Sequence, residues 1–313
     1  MKYSGFFLAA AAVTLLTSPA SFAQNQTGQG HAVVTLLPAK SAEQSVKVEP
    51  QDVTMVKFNG KNAQVAGFVS LRNRPIELVV LIDSAARATL GTQMGDFKNF
   101  VNEIPPNTKM AFAYMEEGRA VFSGPLSSDP QQILKGLHLP NGFLGAAASP
   151  YFCISELARN WPSRDPYARR IVVMVSDGID DYYVNYNPED PYLLAAIHDS
   201  IRGGLIIYPF YWKDVGRLDS FGWGQMDGQN LLAELSEATG GYSYWEGFGN
   251  PVSFDPYFKD LRRRLENQYN LTFNAPSKGK PEVGTLRLNL AVPHVKVDAP
   301  EQAALYPTGQ AEK

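Results

Sequence analysis

The chain has 313 residues, 44% apolar and 19% charged, with 28 basic against 31 acidic side chains and a net charge of −3. That apolar share and near-balanced charge exclude a disordered chain and leave no overall attraction for nucleic acid. A single cysteine, Cys153, excludes an intramolecular disulfide framework and a cysteine-rich zinc site.

At the start, Lys2 precedes an apolar run from Phe6 to Leu16 and the small residues Ser21 and Ala23. This pattern reads as a cleavable secretory signal over residues 1–23 and predicts an extracytoplasmic protein, periplasmic or secreted. An uncleaved anchor is the alternative, although the run is short for a membrane span, and no later stretch reaches the roughly 18–20 apolar residues that a span needs.

Residues 24–75 carry short apolar stretches, Val33 to Leu37, Val53 to Phe58 and Val65 to Leu71, with an Asn59-Gly60 turn, and predict a β-rich segment. Residues 76–268 alternate strand and helix. Glu77 to Asp83 is a near-continuous apolar run ending on an acid, as in a strand buried on both faces. Leu90, Met94, Phe97, Val101 and Ile104 share one helix face, which Pro105-Pro106 ends. Met110 to Met115 and Arg119 to Phe122 read as strands about a Glu117-Gly118 turn. Arg169 to Ser176 and Leu205 to Tyr211 are further buried strands.

Four helix starts pair a capping side chain with a proline: Asp129-Pro130, Ser149-Pro150, Asp190-Pro191 and Asp255-Pro256. Leu231, Leu232, Leu235 and Ala238 share the face of a helix that stops at Gly240-Gly241. The alternation predicts an α/β fold with a doubly wound, mostly parallel sheet and helices on both faces. Residues 269–300, with leucines alternating over Thr285 to Leu290, are expected to pack with 24–75 as a small β module, and 301–313 to form a loose tail.

In an open parallel sheet, ligands bind beyond the carboxyl ends of the strands. Asp83 and Asp177 follow two such ends. With the Ser149 hydroxyl they are candidates to hold a hard cation; the competing reading is that strand-end acids cap helices and bind loop amides.

Three blocks occur in order: Leu78-Val-Val-Leu-Ile-Asp83-Ser84, Val172-Val-Met-Val-Ser-Asp177-Gly178 and Leu232-Ala-Glu-Leu-Ser-Glu-Ala-Thr-Gly-Gly241. They resemble the first strand, fourth strand and late helix of a von Willebrand factor type A domain, over roughly 76–268. The flanks resemble those of secreted bacterial proteins carrying a divergent form of that domain. The resemblance implies a doubly wound α/β fold and, in many members, a metal-ion-dependent adhesion site. That site is an Asp-x-Ser-x-Ser after the first strand, a loop threonine and an aspartate after the fourth, holding Mg²⁺ with one position open to a partner carboxylate.

Here Ala85 and Arg87 stand where the two serines belong. Alanine cannot ligate, and the arginine can supply the metal's charge by pairing with Asp83 or Asp177. Ser149 is the only hydroxyl at the threonine position and doubles as a helix cap. The resemblance therefore implies a degraded site and no bound cofactor. The alternative is a variant Mg²⁺ site at Asp83, Ser84, Ser149 and Asp177.

Two aromatic segments follow the strand ends: 181–187, with Tyr182, Tyr183 and Tyr186, and 208–223, with Tyr211, Trp212 and Trp223. They suit protein recognition, or else fold inward as local clusters. Cys153, four residues from Leu157, reads as a small buried apolar residue. Arg262-Arg263-Arg264 reads as a solvated face or a patch for acidic partners.

Together these features predict a non-enzymatic, extracytoplasmic binding module for an unidentified protein or cell-surface ligand. Its rim comprises Asp83, Arg87, Ser149, Asp177, Tyr182, Tyr183, Tyr186, Tyr211, Trp212 and Trp223. A metal-dependent adhesion module is the first alternative and a hydrolase-like enzyme the second; the sequence has no Gly-x-Ser-x-Gly elbow or phosphate loop to support the latter.

Overall fold

The computed structural model describes residues 26–39, 48–86, 88–140, 142, 149–180, 189–213, 223–247 and 249–308, with backbone only at 88 and 223–225. The signal assigned to 1–23 and the last five positions lie outside the described residues. In chain order the elements are β1 (Thr27–Pro38), β2 (Val53–Phe58), β3 (Lys61–Asn62), β4 (Gln64–Ser70), β5 (Ile76–Asp83), α1 (Met94–Asn102), β6 (Thr108–Glu116), β7 (Arg119–Phe122), α2 (Pro130–Lys135), α3 (Pro150–Arg159), β8 (Arg169–Ser176), α4 (Pro191–Arg202), β9 (Leu205–Tyr211), α5 (Trp223–Thr239), α6 (Asp255–Glu266), β10 (Gln268–Pro276), β11 (Glu282–Leu290), β12 (Val295–Asp298) and β13 (Gln302–Pro307).

The larger of the two sheets is antiparallel. Its eight strands run β3-β2-β11-β13-β1-β10-β4, with β12 also on β1. It curls so that Phe58, Phe68, Leu271 and Phe273 meet in one core with Leu36 and Leu305. The second sheet has five strands in the order β7-β6-β5-β8-β9 and is mixed, since β7 runs antiparallel on the edge.

The expectation of a doubly wound, mostly parallel α/β sheet with a small β module is therefore corrected. Antiparallel pairing dominates, and the flanks build the larger sheet. The physical reason is that β1, β12 and β13 owe their strand state to partners far along the chain. Thr27 pairs with Pro276, and Gly28 with both Ala275 and Pro307. The expected loose tail is corrected likewise: Gln302–Pro307 is a strand between β11 and β1, with Ala303 and Leu305 buried.

Within the mixed sheet, every residue of β5 is buried. Leu78, Val80 and Ile82 pack with α1, α2 and α6 on one side, while Val79 and Leu81 pack with α3, α4 and α5 on the other. Cys153 is buried in the second layer. Two glycines let α5 and its exit approach the strands. A Cβ on Gly228 would lie 2.0 Å from the Asp177 carbonyl oxygen, and one on Gly241 1.7 Å from that of Ile207, far inside van der Waals contact.

Three helix caps follow the sequence. Asp129 accepts from the Gln131 N–H, Ser149 from Tyr151, and Asp190 from Tyr192 and Leu193. At α6 the cap comes from another helix instead. The Phe254 N–H donates to Gln93 Oε1 at 2.9 Å and to Asp96 Oδ2 at 2.8 Å, while Asp255 pairs with Lys259.

The sheets are joined through α6 and β10. Arg264, only 3% exposed, donates to Asp260 at 2.6 Å and to Asp298 of β12 at 2.7 Å, and lies 3.9 Å from the Tyr242 ring centroid. Arg169 of β8 donates to Gln268 Oε1 at 2.6 Å, and Gln268 donates to the Tyr208 hydroxyl at 3.0 Å. The arginine run is thus corrected from a solvated patch to a joint. Arg262 pairs with Glu103 and Arg263 donates to the Pro38 carbonyl.

Candidate functional site

The carboxyl ends of β5 and β8 bring Asp83, Ser176 and Asp177 together. Parallel pairing sets Ile82 opposite Val175, so the last residues of the two strands are neighbours. Asp83 is 3% exposed and both its oxygens are engaged. Oδ1 accepts the Ala85 N–H at 2.9 Å, and Oδ2 accepts the Ser176 hydroxyl at 3.0 Å. Ser84, Ala85 and Ala86 form a buried 3-10 turn directly after the strand. Ser176 Oγ also accepts the Gly178 N–H at 3.2 Å, and Asp177 Oδ1 accepts the Ile179 N–H at 3.0 Å. These are bonds that shape the turn after β8, with Gly178 at a positive φ of 75°.

Ser149 lies on the same edge but faces a different acid. Its hydroxyl donates to Asp180 Oδ2 at 2.9 Å while its oxygen accepts the Tyr151 N–H at 3.3 Å. The Tyr151 hydroxyl donates to the Gly178 carbonyl at 2.7 Å. Burial first, and then the negative charges of Asp180 and Asp177, push its ionisation far above the ordinary phenol range. Tyr151 is therefore a fixed neutral donor that ties α3 to the turn after β8. Cys153, two residues on, is likewise held protonated by burial, with Asp83 reinforcing the effect.

Of the residues expected on the rim, Asp83, Ser149 and Asp177 share this edge, all buried, as is Ser84. Tyr211 and Trp212 are corrected, being only 1% and 2% exposed. Tyr211 packs into the α3–α4–α5 layer, and Trp212 turns to the opposite layer against Phe254 at 5.5 Å. Alternation along a strand covered on both faces sends successive side chains inward on either side. Arg87, Tyr182, Tyr183 and Tyr186 lie outside the described residues. Trp223 opens α5, and its side chain lies outside them too. Sequence reasoning reads Asp180 only as one of the acids around the tyrosine-rich segment that follows Asp177, and does not reach Ser176 or Tyr151 as site residues. The serine ending a buried strand is a legible signal, whereas the pairing of Asp180 with Ser149 has no local one. Among the described residues, no three His, Cys, Asp or Glu side chains gather as a metal-holding group.

No family model and no curated protein matches the sequence. Among solved structures, the chain is similar to an aerotolerance-related membrane protein from Bacteroides fragilis, at 12% identity over 61% of this chain and 98% of that one, with a TM-score of 0.43. It is similar to proximal thread matrix protein 1 from the mussel byssus, solved with a zinc-occupied MIDAS motif, at 14% identity over 67% of this chain and 50% of that one, TM-score 0.44. It is also similar to the pilus adhesin SpaC from Lactobacillus rhamnosus GG, at 9% identity over 87% of this chain and 46% of that one, TM-score 0.45. At these scores the likenesses carry no argument about what this chain binds.

Proposed function

We propose that the chain is a non-enzymatic, extracytoplasmic binding module of von Willebrand factor type A kind whose carboxyl edge works without a metal ion. The observation that carries this reading is the engagement of Asp83. Its two oxygens are taken by the Ala85 N–H and the Ser176 hydroxyl. A Mg²⁺ site needs several oxygens directed at one point in near-octahedral geometry. Here the Ser149 hydroxyl proton goes to Asp180 rather than toward Asp83 or Asp177, and the buried Ala85 side chain offers no ligand. The donor set does not fit the ion, and no step is derived through one.

In this reading the acids are structural. They hold the strand ends in fixed positions, and contact with a protein or cell-surface partner falls to segments that follow β8 and β9 in sequence, including Tyr182, Tyr183, Tyr186 and Trp223. The test is a thermal melt of the full chain in EDTA and then in millimolar Mg²⁺, Mn²⁺ or Ca²⁺. A ligand that prefers the native state raises the melting temperature. Equal melting temperatures agree with the metal-free module. A saturable rise of several degrees with one ion, abolished by Asp83→Ala, overturns it in favour of metal-dependent adhesion.

A further inference from the structure

We propose that the cleft between the two sheets binds a small multivalent anion, a polycarboxylate or a phosphate. This cleft lies at the edge of the mixed sheet opposite Asp83 and does not depend on the reading of that site. It encloses about 850 Å³, walled by the starts of β8 and β9, the ends of α3, α4 and α5, and β1, β10 and β13 of the antiparallel sheet. Both its volume and its place between two structural units are those of small-molecule sites.

Its charge stands apart from that of the chain. Arg159, Arg164, Arg170 and Arg202 line it with one acid, Asp165, so the wall carries 4 − 1 = +3 in a chain of net charge −3. Asp199 approaches Arg159 at 3.6 Å and Arg202 at 4.0 Å, with those arginine side chains 65% and 51% exposed. Even with that acid counted, the balance is 4 − 2 = +2. Exposed ion pairs at such distances are weak and leave the guanidinium groups able to turn to a ligand.

Two arginines give the cleft its character. Arg170 is held in place, donating through one nitrogen to the Gly203 carbonyl at 2.9 Å and lying 5.9 Å from the Trp161 ring centroid. Trp161 is itself fixed by donating to Glu77 at 2.7 Å. The rest of the Arg170 fork remains for an oxyanion, and a planar fork matches carboxylate and phosphate oxygens in pairs. Arg164, in the connection between α3 and β8, is exposed and has no ion-pair partner among the described residues. Asn270 and Gln302 on the facing sheet add neutral polar groups. A cavity with surplus cation, one guanidinium pre-positioned and another unpaired, is complementary to an anion bearing two or more charged groups.

The experiment is isothermal titration calorimetry of the full chain with citrate and, separately, with inorganic pyrophosphate, each against sodium chloride at matched ionic strength. Saturable binding of citrate alone assigns a carboxylate ligand, of pyrophosphate alone a phosphate ligand, and of both a general dianion site. Arg164→Glu and Arg202→Glu alter exposed side chains, and an unchanged melting temperature shows that they fold. Each is expected to weaken binding by about tenfold or more. The proposal is overturned if neither anion binds beyond the salt control, or if binding survives both substitutions unchanged.

Discussion

The Ser176 hydroxyl donates to Asp83 Oδ2 at 3.0 Å, so the last residue of β8 holds the last residue of β5. Both groups are buried, and removing either leaves its partner unsatisfied. Asp83→Ala is expected to cost about 1–3 kcal/mol, and Ser176→Ala a similar amount. Each substitution also removes a bond of its own, to the Ala85 or the Gly178 N–H, but the Ser176–Asp83 bond is common to both, so the double variant should cost less than their sum. Urea denaturation of the four proteins checks this; strict additivity would show that the bond carries no coupling.

Arg264 is the second place where one side chain serves two elements. It joins α6 to β12 through Asp260 and Asp298, and its own side chain is 4% exposed. Arg264→Ala removes the cation that two carboxylates share, leaving Asp260 to the Tyr244 hydroxyl and Asp298 to Lys296, and is expected to cost about 1.5–3 kcal/mol. Arg264→Lys should recover only part of this, since an ammonium lacks the fork that reaches both acids while lying over Tyr242. Guanidinium chloride denaturation gives the ranking; a lysine variant as stable as the parent would contradict it.

Three glycine substitutions separate close approach from helix propensity. Gly228→Ala and Gly241→Ala drive a methyl group into backbone carbonyls at 2.0 and 1.7 Å, and each should destabilise by more than the ~1–3 kcal/mol typical of overpacking. Gly95→Ala, inside α1, meets nothing within 4 Å and should be neutral or stabilising by about 0.5–1 kcal/mol. Thermal melts of the three proteins test the contrast.

Two tyrosines predict an alkaline limit. Burial raises Tyr114 and Tyr208 from 10.0 to about 12 in the folded chain. A raised folded pKa means that the native state keeps a proton which the unfolded state has lost. The contribution of these two groups is therefore complete below pH 10 and is lost as pH rises from about 10 to 12. Absorbance at 295 nm should show tyrosines that stay neutral past pH 10 and ionise together with unfolding measured by circular dichroism. Complete ionisation near pH 10 in a folded protein would contradict the assignment.

Much of the mixed sheet is legible residue by residue. The runs ending at Asp83 and Ser176 are strands buried along nearly their whole length, and Cys153 is a core residue. Less of the candidate site is legible. Ala85 in place of a ligating serine can be read directly, but that Ser149 faces Asp180 while Ser176 faces Asp83 depends on how α3 settles against the turn after β8. Tyr211 and Trp212 show the same limit. An aromatic pair at the end of an apolar run reads as an exposed loop or as core, and the layers packed over β9 decide for core.

By itself the sequence determined what neighbouring residues decide among themselves. Continuous apolar runs make strands covered on both faces, and Asp129, Ser149 and Asp190 cap the helices that start beside them, because such contacts span only a few residues. Only the tertiary structure decided that the flanks form the larger sheet, that β12 and β13 are strands, that α1 caps α6, and that four arginines from separate elements meet in one cleft. Those outcomes join positions as distant as Gly28 and Pro307. A ladder between segments that far apart leaves no local mark of which strand pairs with which, since each strand's partner lies outside any local window.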